Sequence, residues 1–486
     1  MRQEDVEKIL KIGVQLSAER DFDHLLEQVL SCVMELANCD AGTLYLLDGE
    51  ALRFKIMRNH TMNVYAGGDG KDPDMTPVPL RQENMCAMAL LEGRTICVAD
   101  VKNCSEYDFS GPIRYDAMTG YDTRSMLAVP MCSREGNKLG VLQLINAMDE
   151  AGNIRPFPEH MILILESVAS QAAITIQNAR YIQEMKELFQ SFVRVMSTAI
   201  DERSPYNASH TRHMAVYGDR FLCELNRKAA EEGKEPPFSA ARRAELLTSV
   251  WLHDIGKLVI PLEVMDKPAR LRPEQHTAIF HRMEVLRLRG EIDCLSGRIS
   301  AGEQERLTQQ TREAEELVES INTAGFLSDE TLEALRILSE QTYTDEQGQT
   351  QPWLTAEEYK MLSIRKGTLS EKERAVIEEH VVITEKLLSQ IRFSEELSHV
   401  REWASMHHEF LNGEGYPGHL TADQIPMEVR IITILDIFDA LTADDRPYKP
   451  GMPAEKALSI LETMAVKEGK LDSELVRQFA ESRCWE

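Results

Sequence analysis

The chain has no run approaching the ~18 uninterrupted apolar residues that a membrane-spanning helix needs, and its opening residues, Met1 to Asp5, lack the apolar stretch of a secretory signal. A soluble, cytoplasmic protein is expected, with no membrane partner. CxxC spacing is also missing: the nine cysteines, Cys32, Cys39, Cys86, Cys97, Cys104, Cys132, Cys223, Cys294 and Cys484, are scattered. An odd count without a secretory signal predicts reduced thiols that act as small buried hydrophobes, with Cys484 beside Trp485 exposed. Positive charge is scarce. Against 80 acidic side chains stand 54 Lys and Arg, a formal net charge of −26, which disfavours a broad basic face for duplex nucleic acid. An anionic substrate would need local positive charge from bound metals, Lys257, Arg446 and Lys449.

What is present is enough apolar residue, 43% of 486, for packed cores in roughly three domains of about 150 residues each. Residues 1–180 read as a sensory α+β domain, an antiparallel sheet with flanking helices. It opens with a helix whose apolar positions, Ile9, Ile12, Val14, Leu25, Leu26, Val29 and Val33, recur at roughly helical spacing. Strands follow at Gly42–Asp48 and Ala51–Ile56, with Gly49-Glu50 as a hairpin signal, then at Thr95–Ala99, Ser125–Pro130 and Gly140–Ala147. Residues 181–203 read as a linker helix: Ile182, Met185, Phe189, Phe192 and Met196 step by 3, 4, 3 and 4, an a/d seam. A helix packed on its own domain would show the same pattern over two heptads, but a parallel dimer helix joining sensor to effector is preferred, so a homodimer is expected.

Residues 204–486 carry the chemistry. Pro205-Tyr206 breaks the linker, and His210 and His213 lie three apart on the next helix. His253-Asp254 sit side by side, with Lys257 one helical turn on. Far downstream come His407-His408-Glu409, the loop Asn412-Gly413-Glu414-Gly415-Tyr416-Pro417, the carboxylates Asp436 and Asp439 on an apolar run, and Asp444-Asp445-Arg446-Pro447-Tyr448-Lys449. Histidines and carboxylates in these numbers suit a borderline divalent ion. Residues 275–362, rich in Glu, Gln and Arg with short stripes such as Leu332, Leu335 and Leu338, read as an inserted helical hairpin.

These pieces resemble known families. The strand order of the first domain, with Asp116-Ala-Met-Thr119-Gly120-Tyr-Asp-Thr123-Arg124, resembles the GAF domains attached to cyclic-nucleotide phosphodiesterases, which implies a small-molecule effector without naming it. His253-Asp254, His407-His408-Glu409 and Gly415-Tyr416-Pro417 resemble the HD superfamily of phosphohydrolases and its HD-GYP branch. The resemblance implies an all-α domain, here with the helical insertion, and two divalent ions, iron or manganese favoured and zinc open. It implies His210, His253, Asp254, His380, His407, His408 and Asp436 as ligands. Asp254 would bridge the ions and act with Lys257 in catalysis. Glu409 would orient an imidazole, and Gly415, Tyr416, Pro417, Arg446 and Lys449 would hold the substrate. His399 and His419 fit no motif and are left structural. The passage that bears the ligand between His253 and His407 occurs twice, so His281 competes with His380. His380 falls 11 residues after Leu369 and keeps the apolar spacing, and is chosen.

The implied activity is hydrolysis of cyclic di-GMP, first to linear pGpG, with a second cut to GMP also open, under control of the sensor. The alternatives are hydrolysis of another cyclic mono- or dinucleotide, or a non-catalytic receptor that binds ligand or partner. Asn412 stands where that branch usually has aspartate, and an extra acidic residue precedes Arg446.

Overall fold

The computed structural model of the protein describes residues 21–68, 73–133, 136–203, 209–345, 347–443 and 451–486. The expectations for Ile9, Ile12, Val14, Pro205, Tyr206, Arg446 and Lys449 fall outside these. The chain divides into two compact units, Met1–Phe189 and Gln190–Glu486.

In the first unit the helix Phe22–Ala37 starts at Asp21, whose carboxylate accepts from the His24 amide at 2.9 Å, an N-cap that satisfies one free amide of the first turn. Its face of Leu25, Leu26, Val29, Leu30 and Val33 is fully buried. The helix covers one side of an antiparallel sheet of β1 (Cys39–Asp48), β2 (Ala51–Asn59), β3 (Val64–Ala66), β4 (Val78–Pro79), β5 (Ile96–Val98), β6 (Met126–Cys132), β7 (Lys138–Met148) and β8 (Ile154–Arg155). The order is β3-β2-β1-β7-β6-β5, with β4 on β2 and β8 on β7. The β1–β2 hairpin turns at Gly49-Glu50, and Gly49 takes a φ of 59°. One core lies between sheet and terminal helices, around Leu30, Leu142 and Ala169; a second lies on the opposite face, around Leu52, Leu90 and Val141. A cavity of about 260 Å³ opens there, lined among others by Tyr45, Arg58, Tyr121 and Gln143.

The helix Glu159–Asp201 runs for 43 residues, and the division between units falls within it. Ile182, Met185 and Phe192 of the predicted seam are exposed, joined by Leu188 and Val195. Phe189 and Met196 are half-buried instead. The register moves because Val193, Ser197, Ile200 and Asp201 are buried in the second unit and take Met196 partly with them.

Among its described residues the second unit is helical apart from one short hairpin, Thr342–Thr344 with Thr350–Pro352, inside the insertion. Its core is built on the helix Met427–Thr442, apolar on most sides through Val429, Ile431, Ile432, Ile434, Leu435 and Phe438. The helices His210–Glu231, Ala240–Leu252 and Ser473–Ser482 pack around it. Cys484 is not exposed as expected but buried. Trp485 packs with its ring tilted against Phe438 and Phe479, centroids 5.0 and 5.2 Å away, which draws this segment onto the core, and burial pushes the thiol up to about 11.

The insertion has its own core, including Ile279, Met283, Val318, Ile321, Leu335 and Trp353. It leaves and rejoins the parent fold at one place. Lys267 pairs with Glu373 at 2.8 Å, Thr368 donates to the Lys267 carbonyl at 3.2 Å, and Arg270 donates to the Ile364 carbonyl at 2.9 Å. The flanking segments therefore meet as though the insertion were a long loop, which costs little in chain entropy beyond that of a shorter one. No helix among the described residues is long and apolar enough to cross a membrane.

Candidate metal centre

Four helices and two turns converge on one polar pocket inside this helical unit. The helix Ala240–Leu252 ends at His253, and the chain tightens into the 3-10 turn Ile255–Leu258, so that Asp254 points back into the unit. Gly256 makes this possible: a Cβ there would lie 1.9 Å from the His380 carbonyl oxygen. Thr384 locks the same junction, donating to the His253 carbonyl and accepting from the Gly256 amide, both at 3.0 Å. Thr433 donates to the His407 carbonyl at 2.8 Å, tying the third piece to the helix that carries Asp436.

Three of the histidines are oriented alike. His253, His380 and His407 each place Nδ1 on the carbonyl three residues earlier, Val250 at 2.7 Å, Ile377 at 2.6 Å and Ala404 at 2.8 Å. Carbonyls only accept, so Nδ1 carries the proton and Nε2 is left as a bare lone pair directed into the pocket. Burial lowers the basicity of His380, and it lowers that of His407 strongly with the help of neighbouring His408 and His253. Burial brings His408 down to about 4. Neutral imidazoles facing one another are what a cation requires.

The two carboxylates span the histidines. Asp254 Oδ2 lies 3.2 Å from His253 Nε2 and 3.9 Å from His210 Nε2, while its Oδ1 lies 3.4 Å from His380 Nε2 and 3.8 Å from His407 Nε2. Asp436 repeats the pattern, with Oδ1 3.2 Å from His210 Nε2 and Oδ2 3.8 Å from His408 Nδ1. Donor atoms of His380, His407 and His408 lie within 4.8 Å of one another, and so do those of His210, His253 and Asp254; each group could hold an ion. Burial would raise the Asp254 carboxyl, but His253 and Lys257 hold it well below the usual range. His253 Nε2 and Asp254 Oδ1 are buried and make no hydrogen bond. Two such buried atoms in one pocket are costly unless a further group completes them, so the residues present fit a divalent cation.

Lys257 Nζ bonds Asp254 Oδ2, and although burial opposes its charge, Asp254 and Asp436 keep it protonated. Tyr416 stacks on His408 with centroids 4.8 Å apart, and its amide donates to the His408 carbonyl at 3.1 Å. Gly415 permits that fold, since a Cβ there would meet the Phe410 amide nitrogen at 2.3 Å. Pro417, next to Tyr416, is exposed at the loop surface.

Glu409 does not orient an imidazole. Its carboxylate accepts from the backbone amides of Gly418 and, at 3.0 Å, Leu420, because the loop doubles back over it and offers these N–H groups. His281 is exposed on the helix Pro273–Leu295, remote in role from the cluster that contains His380. His399 pairs with Glu245 and stacks on Trp403.

The residue that sequence reasoning left without a role is Asp439. Almost fully buried, it accepts from His210 Nδ1 at 2.7 Å and lies 3.3 Å from His213 Nδ1. Burial alone would lower His210, but Asp436 and Asp439 raise it to about 10. The signal for it was an acidic residue three positions after Asp436 on an otherwise apolar helix. Asp201 was also passed over: it is buried, accepts from Thr211 Oγ1 at 3.0 Å, and burial lifts it to about 6.

Residues 356–475 match the family model described as HD domain, and residues 21–176 match the one described as GAF domain. The chain carries a GAF domain and an HD domain. His380, His407, His408 and Asp436 lie inside the HD match, while His210, His253 and Asp254 precede it, separated by the insertion. A 3'3'-cGAMP-specific phosphodiesterase of Vibrio cholerae is 43% identical over 96 residues, 20% of this chain and 20% of that protein. The cyclic di-GMP phosphodiesterase response regulator RpfG of Xanthomonas campestris is 39% identical over 100 residues, 20% of this chain and 25% of its own length. A cyclic di-GMP phosphodiesterase of Thermotoga maritima is 35% identical over 117 residues, 24% of this chain and 30% of its own length. The chain thus spans less than a third of each of these relatives.

Proposed function

We propose that the protein is a metal-dependent phosphodiesterase that hydrolyses cyclic di-GMP under the control of its GAF domain. The observation that carries this reading is the placement of Asp254, one oxygen facing His210 and His253 and the other facing His380 and His407. His210, His253, Asp254, His380, His407, His408 and Asp436 would hold two divalent ions; the mixed imidazole and carboxylate set suits iron, manganese or zinc, and the family resemblance favours iron or manganese. Such a pair supplies Lewis acidity toward phosphoryl oxygens and an activated water when bound.

The chain's own groups do the rest. Lys257 holds a charged ammonium at the mouth of the pocket, suited to a phosphodiester oxygen once Asp254 is otherwise engaged. The Tyr416 ring, held by His408 and the Gly415 turn, offers a flat face to a base, with Pro417 beside it. Arg446 and Lys449, outside the described residues, are assigned to substrate phosphate by their motif. The product would be linear pGpG, with a second cut to GMP left open. The GAF cavity would take a small effector, and the exposed stripe of Ile182, Met185, Leu188, Phe192 and Val195 on the long helix would pair with a second chain.

A second reading concerns the substrate alone. The 43% identity with a 3'3'-cGAMP-specific enzyme favours a mixed cyclic dinucleotide. Hydrolysis of cyclic di-GMP and 3'3'-cGAMP, measured side by side on protein loaded anaerobically with iron or manganese, separates the two. Turnover of cyclic di-GMP with about two metals per chain, lost in Asp254→Asn, is expected. Preference for cGAMP would move the assignment, and no turnover of either at full metal occupancy would replace the enzyme by a receptor.

A further inference from the structure

The helix Glu371–Leu388 delivers His380 to the pocket, and from there ring centroids step 5.2 Å to His408 and 4.8 Å on to Tyr416. Tyr416 therefore lies over the side of the pocket that this helix borders. Two side chains of opposite charge stand on the helix before His380, one turn apart: Arg374, exposed, and Glu378, half-buried. Both act on the Tyr416 hydroxyl. Burial is the largest influence raising its pKa, and beyond Asp436 the Glu378 charge raises it further while Arg374 lowers it, so the two reach the same side of the loop. Yet Arg374 and Glu378 form no ion pair or side-chain hydrogen bond among the described residues. At the same spacing, with arginine first, Arg227 pairs with Glu231, Arg336 with Glu340 and Arg477 with Glu481. The pair beside Tyr416 stands apart, which leaves the guanidinium donors and both carboxylate oxygens open to a ligand.

We propose, on the reading that the substrate is a cyclic dinucleotide, that Arg374 and Glu378 read a guanine base lying on the Tyr416 ring and so determine specificity at this site. Guanine offers acceptors at O6 and N7, which the fork of an arginine takes together. Next to them it offers donors at N1–H and N2–H, which match the two oxygens of a carboxylate. Adenine reverses this order. Its N6 amino group would meet the guanidinium donor to donor, and its N1 lone pair would face the Glu378 carboxylate. Base identity is thus set in one half of the dinucleotide, and the second base is free to be guanine or adenine. Cyclic di-AMP is excluded, and 3'3'-cGAMP is held in one orientation only, so that one of its two phosphodiesters faces the metal ligands.

Titration calorimetry of the full chain with cyclic di-GMP and cyclic di-AMP, after chelation so that neither is turned over, tests this. The parent should bind cyclic di-GMP at least about tenfold more tightly. Glu378→Gln should weaken cyclic di-GMP roughly tenfold and tighten cyclic di-AMP, because the new amide donates to adenine N1. Arg374→Met should weaken cyclic di-GMP to a similar extent and leave cyclic di-AMP unchanged. The metal-loaded parent should open 3'3'-cGAMP to one linear isomer, and Glu378→Gln to a mixture of both, resolved by liquid chromatography. Neither side chain bonds another described residue, and unchanged circular dichroism serves as the folding control. Equal loss of both dinucleotides in the variants, unchanged affinity for cyclic di-GMP, or an equal isomer mixture from the parent would overturn the proposal while leaving the phosphodiesterase standing. Base discrimination that the variants lose, in a chain whose metal-loaded form turns over neither cyclic di-GMP nor 3'3'-cGAMP, would uphold the pair and overturn the enzyme. Binding of neither dinucleotide, with or without metal, would overturn both.

Discussion

Asp439 shows how much of this pocket depends on a residue that would touch no metal. Its carboxylate takes the Nδ1 proton of His210 and so turns the ring to present Nε2 toward Asp254 and Asp436. Three of the other four rings, His253, His380 and His407, use backbone carbonyls for the same purpose, and these cannot be mutated away, while His408 stacks on Tyr416. Of the rings held by a hydrogen bond at Nδ1, His210 is the one whose partner is a side chain that substitution can change. Asp439→Asn keeps the shape but removes the charge that polarises the ring, and metal affinity should fall about 10- to 100-fold, as such outer contacts generally require. A chelator-competition titration of the purified chain measures it, with circular dichroism unchanged. An affinity equal to the parent's would mean that His210 is oriented by its own helix instead.

At the scale of elements, the decisive joint lies between the 3-10 turn Ile255–Leu258 and the helix Glu371–Leu388, over a hundred residues later. Thr384 is the rivet, with one hydroxyl pairing the His253 carbonyl and the Gly256 amide. Thr384→Val keeps the volume and strands both groups in a buried place, at a cost of about 1–3 kcal/mol. The melting temperature of the chain should drop accordingly, and metal content with it, since His253 and Asp254 flank the broken contact. This joint also marks where the sequence was legible and where it was not. His253-Asp254, His407-His408 and Gly415-Tyr416-Pro417 are contiguous, so their grouping is visible in the residue order. The choice of His380 over His281 rested on spacing alone, and the meeting of Lys267 with Glu373 that closes the insertion's base could not be read at all. Glu409 was misread because a carboxylate beside two histidines looks like their partner until the loop path brings backbone amides to it. The exposed seam on the long helix was found one position out at Leu188 and Val195, since the side that a helix buries depends on a partner far away in sequence.

For the whole molecule the question is how a state of the GAF domain could reach the metal pocket. The end of the long helix is built into the HD unit, with Val193, Ser197, Ile200 and Asp201 buried there. Just beyond, Arg203 donates to the carbonyl of Ile260 at 2.8 Å and to that of Lys257, holding the turn that carries the pocket's lysine and the segment that follows it. Asp201 accepts from Thr211, the residue after His210. A small rotation of this helix would thus act on Lys257 and His210 together, and coupling between the two sites would follow if the sensor's states rotate it differently. We expect the unliganded sensor to hold the pocket in a less active arrangement. A chain beginning at Gln190 keeps Val193, Ser197, Ile200, Asp201 and Arg203 but loses the sensor, and should turn over cyclic di-GMP several-fold faster than the full chain. Adding Arg203→Leu to both should lower their rates and narrow the difference between them, because the helix no longer grips the turn. Equal rates for the full and shortened chains with Arg203 intact would show that the sensor exerts no control through this helix, leaving Arg203 as a purely structural clamp.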